Sequence, residues 1–559
     1  METRSVAKFK GKAKKPDNPL VVRPGMTIGS ISAERDDEYL FNCFVDHPAV
    51  ATCKSVRSPG MVVAGRTGAG KTAVIRYIED TCDNSVVIDP SDMALSYVSN
   101  SDVLRFIQSI GGDLDLLFLA LWKHVLCIEF IRLRYKVTDE HKSRTTFSRL
   151  VDKFRLDQRK RKSLDYLREW EGRFWITMDE NIKEITQRYE GKLAAELGAE
   201  VQKFKAGGQY EKRLSNERKS ELVARAKKII NSDQLSDLGG VIEMLSDQAN
   251  DDYEAKYFIL IDRLDERWVD VSIRFKLIRA LIESLKAFRR ITNLKIVVAL
   301  RADILERVVQ ETGDLTFQRE KLEGFFVRLR WTRGQLKEFV DKRLALTFRR
   351  QYSAGQPVSF DDIFTNKVGT AEPFDYILER TLMRPRDVLV FVNECLNQSE
   401  GHTNVTAGAI RKAEGEYSRI RRQAIEEEWQ SAFPSLPRLL DYLQSFKSTT
   451  INFKDLCDKE PVMELALPFT EKRWNFDPIY EEATKLYGVG GDPVEFIKEA
   501  LGTLYRVGAI GIKPTPGERY YFSHRDDPVY NTAVLGTNAR ITIHVMLHRA
   551  LGIEGRRDV

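Results

Sequence analysis

The chain has no stretch of about 18 uncharged apolar residues, the length that a membrane-spanning helix needs. Its most apolar segment, residues 114–133, carries Asp115, Lys123, His124, Glu129 and Arg132, and so reads as a buried helix. Cysteine is scarce: Cys43, Cys53, Cys82, Cys127, Cys395 and Cys457 are scattered, with no C-x-x-C pair. That argues against a disulfide frame or a cysteine zinc site and fits the reduced thiols of a cytosolic protein. His544 and His548 stand four apart on an expected last helix, but no glutamate completes H-E-x-x-H, which argues against a metal site. No internal repeat and no serine- or cysteine-nucleophile motif appears. The basic start has no apolar core, so it does not read as a signal peptide.

Charge of one sign is also lacking. Lys and Arg number 88 against 82 Asp and Glu, a net +6. This permits a nucleic-acid partner without arguing for one. With 559 residues, 42% hydrophobic and 30% charged, the chain has material for several folded domains.

What is present centres on residues 61–80. Residues 61–64 form an apolar run of strand character, and the sequence that follows, Gly65, Arg66, Thr67, Gly68, Ala69, Gly70, Lys71 and Thr72, fits G-x-x-x-x-G-K-[ST]. Ala73 and the residues after it read as a helix with Val74, Ile75 and Ile78 inward. Strand, glycine loop and helix together are what a phosphate-binding loop requires. The glycines let backbone N–H groups converge on phosphate oxygens, and the helix N-terminus adds partial positive charge. Lys71 is expected at the β- and γ-phosphates and the Thr72 hydroxyl on Mg²⁺. The loop therefore predicts a nucleoside triphosphate ligand.

A second apolar run, residues 257–261, leads into Asp262. A buried parallel strand with a carboxylate at its C-terminal edge is the Walker B pattern, with Asp262 expected to hold Mg²⁺ through water. Arg263 follows Asp262, with Asp265 and Glu266 shortly after. Residues 294–300 form another buried strand, ending at Arg301 and Asp303; Arg301 reads either as a γ-phosphate sensor or as half of a salt bridge to a neighbouring carboxylate. Arg386, in Arg384, Pro385, Arg386 before an apolar helix, reads as projecting toward the phosphates or as a helix-start ion pair. Arg319 and Arg328 are candidates for an Arg supplied to a neighbour, against the plainer reading of surface charge.

The expected organisation is a basic flexible tail over residues 1–30 and an α/β P-loop core over 31–330, with a helix within 32–50 beside the first strand. A charged helical insertion at about 111–250 is expected to project from that core. A helical lid over 331–433 and a separate winged-helix-like module over 434–559 follow. In that module a hairpin is expected around residues 514–517, with Arg519, His524 and Arg525 suited to phosphates.

The segment Ser32 to Asp36, the loop Gly65–Thr72, the box Ile261 to Glu266, Leu300 to Asp303 and Arg384 to Arg386 together resemble bacterial FunZ-type P-loop ATPases. These are related to the KAP and STAND branches of AAA+-like NTPases, and the resemblance spans residues 30–430. It implies an ATPase with a RecA/AAA+-like parallel sheet, ATP and Mg²⁺ as cofactors, Mg-ATP held between core and lid, and a bacterial cytoplasmic setting. The chain departs from the standard AAA+ box at Arg263, where the catalytic Glu would follow, so that either Asp265 or Glu266 is expected to orient the water or hydrolysis is expected to be slow. It further implies an oligomeric switch controlling a protein effector or answering a trigger, in anti-phage defence or signalling. The alternative is a DNA-binding, loader- or translocase-like ATPase using residues 434–559. ATP over GTP rests on the resemblance, since no guanine-reading N-K-x-D motif is present.

Overall fold

The computed structural model describes residues 20–92, 98, 100–135, 178–206, 214–231, 234–251, 254–266, 268–311, 323–352, 357–430, 432–474, 477–488, 491–526 and 531–553. The chain forms two compact units, Asp46–Leu329 and the remainder, in which the residues up to Val45 join those from Arg330 onward.

The first unit is built on a five-stranded, wholly parallel sheet: β1 (Val62–Gly65), β2 (Ser85–Ile88), β3 (Tyr257–Ile261), β4 (Leu294–Arg301) and β5 (Phe326–Arg328). Their order is β2-β3-β4-β1-β5. Every residue of β1 and β3 is buried, as expected of strands covered by helices on both faces. The expected α/β class with a parallel sheet is what the chain adopts.

Register decides which residues meet at the C-terminal edge. Gly65 on β1 lies beside Arg301 on β4, and Ile261 on β3 pairs with Ile88 on β2. The residues one step beyond that last pair, Asp262 and Asp89, therefore emerge side by side, and the Asp262 N–H donates to the Ile88 carbonyl at 3.4 Å.

The described helices of the insertion do not project. Met178–Leu197, Ala199–Ala206, Asn216–Asn231 and Gln234–Asp251 bury Leu193, Leu197, Val201, Leu222 and Leu245 in the same apolar cluster as Ile259 and Ile261. Their apolar residues, spaced three and four apart among the charges, form a stripe that loses exposure to water only by packing inward. Trp122, on Asp115–Tyr135, donates from its indole to the Leu277 carbonyl at 2.9 Å and ties that helix to Val271–Phe288. Expectations for residues 136–177 lie outside the described residues.

The second unit corrects five expectations. Residues 20–30 are not tail: Val22, Met26 and Ile28 are buried, and the Ile28 N–H donates to Asn393 Oδ1 at 2.9 Å. The helix expected within residues 32–50 is broken into Ala33–Arg35, Asp37–Asn42 and Pro48–Lys54, and only the last belongs to the sheet unit. Asp36 instead accepts from Arg343 at 2.6 Å, with both side chains almost fully buried. Residues 434–559 are not a separate module, because one apolar cluster runs from Val22 through Phe391, Tyr417 and Leu440 to Ile553. Ser418, on Ala407–Trp429, donates to the Met546 carbonyl at 2.5 Å and joins the two stretches covalently distant in the chain. Finally, the expected hairpin is only an isolated bridge between Ile512 and Tyr521. The main partner of β7 (Ile510–Lys513) is β8 (Arg540–Ile543), which also pairs with β6 (Thr450–Asn452). His544 caps a short 3₁₀ turn, Val545–Leu547, where a last helix was expected.

Candidate functional site

The loop after β1 turns the chain into the helix Lys71–Thr81. Gly68 and Gly70 have φ of 76° and 97°, a left-handed backbone that side chains with a Cβ resist. A Cβ on Gly65 would lie 3.3 Å from that of Ala69, a tight contact that the loop would have to relieve by a small shift. Arg66, Thr67, Gly68, Gly70, Lys71, Thr72 and Ala73 are half-buried, whereas Gly65 and Ala69 are buried. Lys71 Nζ donates to the carbonyls of Gly65 and Arg66, both at 3.2 Å, and so arches over the loop that it is expected to serve.

Asp262 stands at the end of β3, 9% exposed. Burial pushes its carboxyl up; the Arg263 N–H, the Thr72 hydroxyl and the Lys71 charge pull the other way without cancelling the effect. The Arg263 N–H donates to Asp262 Oδ1 at 2.8 Å. Lys71, Thr72 and Asp262, far apart in sequence, are thus brought together. A hydroxyl and a desolvated carboxylate form a hard-oxygen donor pair of the kind Mg²⁺ takes while keeping several waters, so the residues present fit the expected ion.

Around this triad the edge is lined by carboxylates, each facing an arginine. Arg301 donates to Asp303 through Nε at 2.9 Å and Nη2 at 2.8 Å, the salt bridge that was one of its two readings, and its Nη1 lies 3.6 Å from Asp265. Glu266 is raised first by burial and then by Asp89, Asp265 and Asp262, with Arg263 opposing. Arg386 is in the other unit, mostly buried at the start of Pro385–Asn397; burial and then Arg384 lower its affinity for the proton. Arg328 is exposed and pairs with Glu323 at 2.7 Å, and Arg319 lies outside the described residues.

Asp303, just past the end of β4, supplies the principal counter-charge of Arg301. Two contributors were not read from the sequence. Arg274, buried, donates to the Glu266 carbonyl at 3.3 Å. Asp89 Oδ2 accepts from Arg263 Nη1 at 2.9 Å. For Asp89 a signal was present: it follows an apolar strand just as Asp262 does. Among the described residues no group of three or more His, Cys, Asp or Glu side chains is placed to hold a metal by itself, and no helix is long and apolar enough to cross a membrane.

Residues 334–426 match the family model of the FunZ-associated C-terminal helical domain. The matched stretch lies in the helical unit. No curated protein matches the chain. A solved structure, the Walker-type ATPase of Pyrococcus abyssi, aligns over 91% of this chain and 98% of its own at 14% identity, with a TM-score of 0.33.

Proposed function

We propose that this chain is a Mg²⁺-dependent P-loop ATPase that works as a conformational switch. The observation that carries the reading is the convergence of Lys71, Thr72 and buried Asp262 at one edge of a parallel sheet, beside a glycine loop of left-handed backbone. Phosphoryl transfer asks little covalent chemistry of a protein, only position and charge compensation, and this edge supplies both. Gly65–Ala73 would cradle the phosphates, Lys71 would compensate the β- and γ-phosphate charge, and Thr72 and Asp262 would hold the ion. Asp265 or Glu266 would orient water, and Arg301 would answer the γ-phosphate by exchanging Asp303 for it.

The switch belongs to the helical unit, which bears the FunZ-associated match. Ordering on nucleotide and release after hydrolysis is the proposed work, passed to a protein effector or trigger in an oligomer. The KAP or STAND relationship and a role in bacterial defence are proposed by resemblance.

A second reading, DNA handling, has one favourable observation. The helix Pro493–Val507 precedes β7, and the sheet order β6-β8-β7 is the strand order of a winged helix. Against it, Arg519 pairs with Asp526 at 2.6 Å, so that wing charge is already compensated.

The test is ATP turnover by the full chain with Mg²⁺, alone and with duplex DNA, with Lys71→Ala and Asp262→Ala as blanks. Turnover lost in both variants and indifferent to DNA supports the protein-gated switch. Strong DNA stimulation with a steep salt dependence moves the assignment to DNA handling. Turnover that survives both substitutions overturns the ATPase reading.

A further inference from the structure

Arg263 is one of three non-glycine residues with left-handed backbone among the described residues, at φ 59°. Such a conformation is uncommon outside glycine and, where surroundings impose it, points to function. Here the cause is visible: the Arg263 N–H is fixed on Asp262 Oδ1 at 2.8 Å, and its guanidinium is held by Asp89 Oδ2 at 2.9 Å. Asp89 is itself oriented, because its Oδ1 accepts from the Ser91 N–H at 2.9 Å and the Ser91 hydroxyl at 2.5 Å. The remaining edge of the guanidinium, Nε, faces Glu266 at 3.7 Å. Glu266 has a tethered backbone and a side chain that remains 53% exposed, a carboxylate fixed at its root and aimed by its partner.

We propose that Asp89 is a working residue of the nucleotide site: by fixing the Arg263 guanidinium it sets the place of the Glu266 carboxylate, which orients the attacking water. The inference rests on the ATPase reading and decides between the two carboxylates that the sequence left open. Asp265 faces Arg301, whose principal partner is Asp303; Glu266 faces an arginine anchored on a second strand. In hydrolysis the water oxygen bonds to the γ-phosphorus, and the bond from that phosphorus to the β–γ bridging oxygen breaks with its electron pair leaving on ADP. The water proton passes to Glu266 and from there to phosphate. Asp89 and Arg263 touch neither reactant and act as positioning residues.

The experiment measures single-turnover ATP hydrolysis and ATP dissociation constants in the full chain. Turnover indifferent to Lys71→Ala would overturn the nucleotide reading, and this inference with it. With that control met, Asp89→Asn keeps an oxygen for Ser91 but loses the charge that holds Arg263. It and Arg263→Ala should each slow the chemical step at least tenfold, part of the roughly 10²–10⁴-fold that a positioned base contributes. ATP affinity should stay within about threefold, which separates positioning from collapse of the site. The double variant should be no slower than the worse single one, because both break one chain of contacts. Arg263→Lys, which keeps charge at one point, should recover part of the rate. Unchanged or faster hydrolysis in the single variants, or a double loss equal to the product of the single losses, overturns the proposal.

Discussion

The two units each contain a cluster of opposite charges, and they are built in opposite ways. In the helical unit Asp387 accepts from Arg384 at 3.0 Å and faces Arg421 at 3.5 Å, while Arg384 also reaches Glu428 at 3.3 Å. All four side chains are at most 8% exposed. Burial by itself would raise the Asp387 carboxyl, but the two guanidinium groups overcome it and hold the group at about 2. At the sheet edge Arg263, Asp265 and Glu266 stay substantially exposed, and the Asp262 and Glu266 carboxyls are pushed up. Desolvated charge with close partners holds a fold together, whereas under-compensated carboxylates at an open edge await a cation or a reacting group.

Breaking the buried cluster should have the largest effect. Asp387→Ala removes the carboxylate that Arg384 and Arg421 share in the interior, leaving Arg384 on Glu428, and should cost about 3–5 kcal/mol of stability, read from denaturant unfolding. The intact carboxyl titrates lower when folded than its unfolded value of about 3.9, so its contribution is complete above about pH 5 and is lost as pH falls through about 4 toward 2. Acid unfolding of the variant should lack that component. Next, Lys71→Ala should reduce ATP hydrolysis about 10²–10³-fold, the scale of losing one pre-organised charge donor, while thermal melting barely moves. A large drop in melting temperature would mean that Lys71 is structural, as its hydrogen bonds to Gly65 and Arg66 would then suggest.

Asp262→Asn sharpens the contrast by sign. Removing a carboxylate that burial disfavours should leave melting unchanged or slightly raised, the reverse of Asp387. Mg²⁺ affinity, followed by titrating the ion against turnover, should fall about tenfold to a hundredfold. The smallest effect belongs to Arg328→Ala: its exposed pair with Glu323 is worth less than about 1 kcal/mol, and urea unfolding should show a shift no larger.

The glycine-rich loop was legible because its pattern is local. Glycines at positions of positive φ, a lysine and a hydroxyl in consecutive places, and a helix start require no distant partner to be recognised. Asp262 was legible because an apolar run ending in a carboxylate means a buried strand reaching an edge. Asp89 carried the same signal in weaker form, and its relevance depended on β2 lying next to β3, which no spacing between them reveals. The role of Arg263 was read as a missing glutamate; its left-handed backbone and its hold on Asp89 exist only once two strands are in register.

The helical half was harder to read for a physical reason. Helical periodicity says which face of a helix is apolar, but not which other face it meets. Residues 20–30 therefore passed for tail, the insertion for a projecting arm and residues 434–559 for a separate module, although all three bury their apolar faces in one of two cores. By itself, then, the sequence determined the parallel α/β class, the turn from β1 through glycines into a helix and the carboxylate just after β3, since each is a short-range pattern with one physical outcome. Tertiary structure alone decided which arginine faces which carboxylate and which helices share a core. Those choices depend on strand order and on the burial of surfaces hundreds of residues apart.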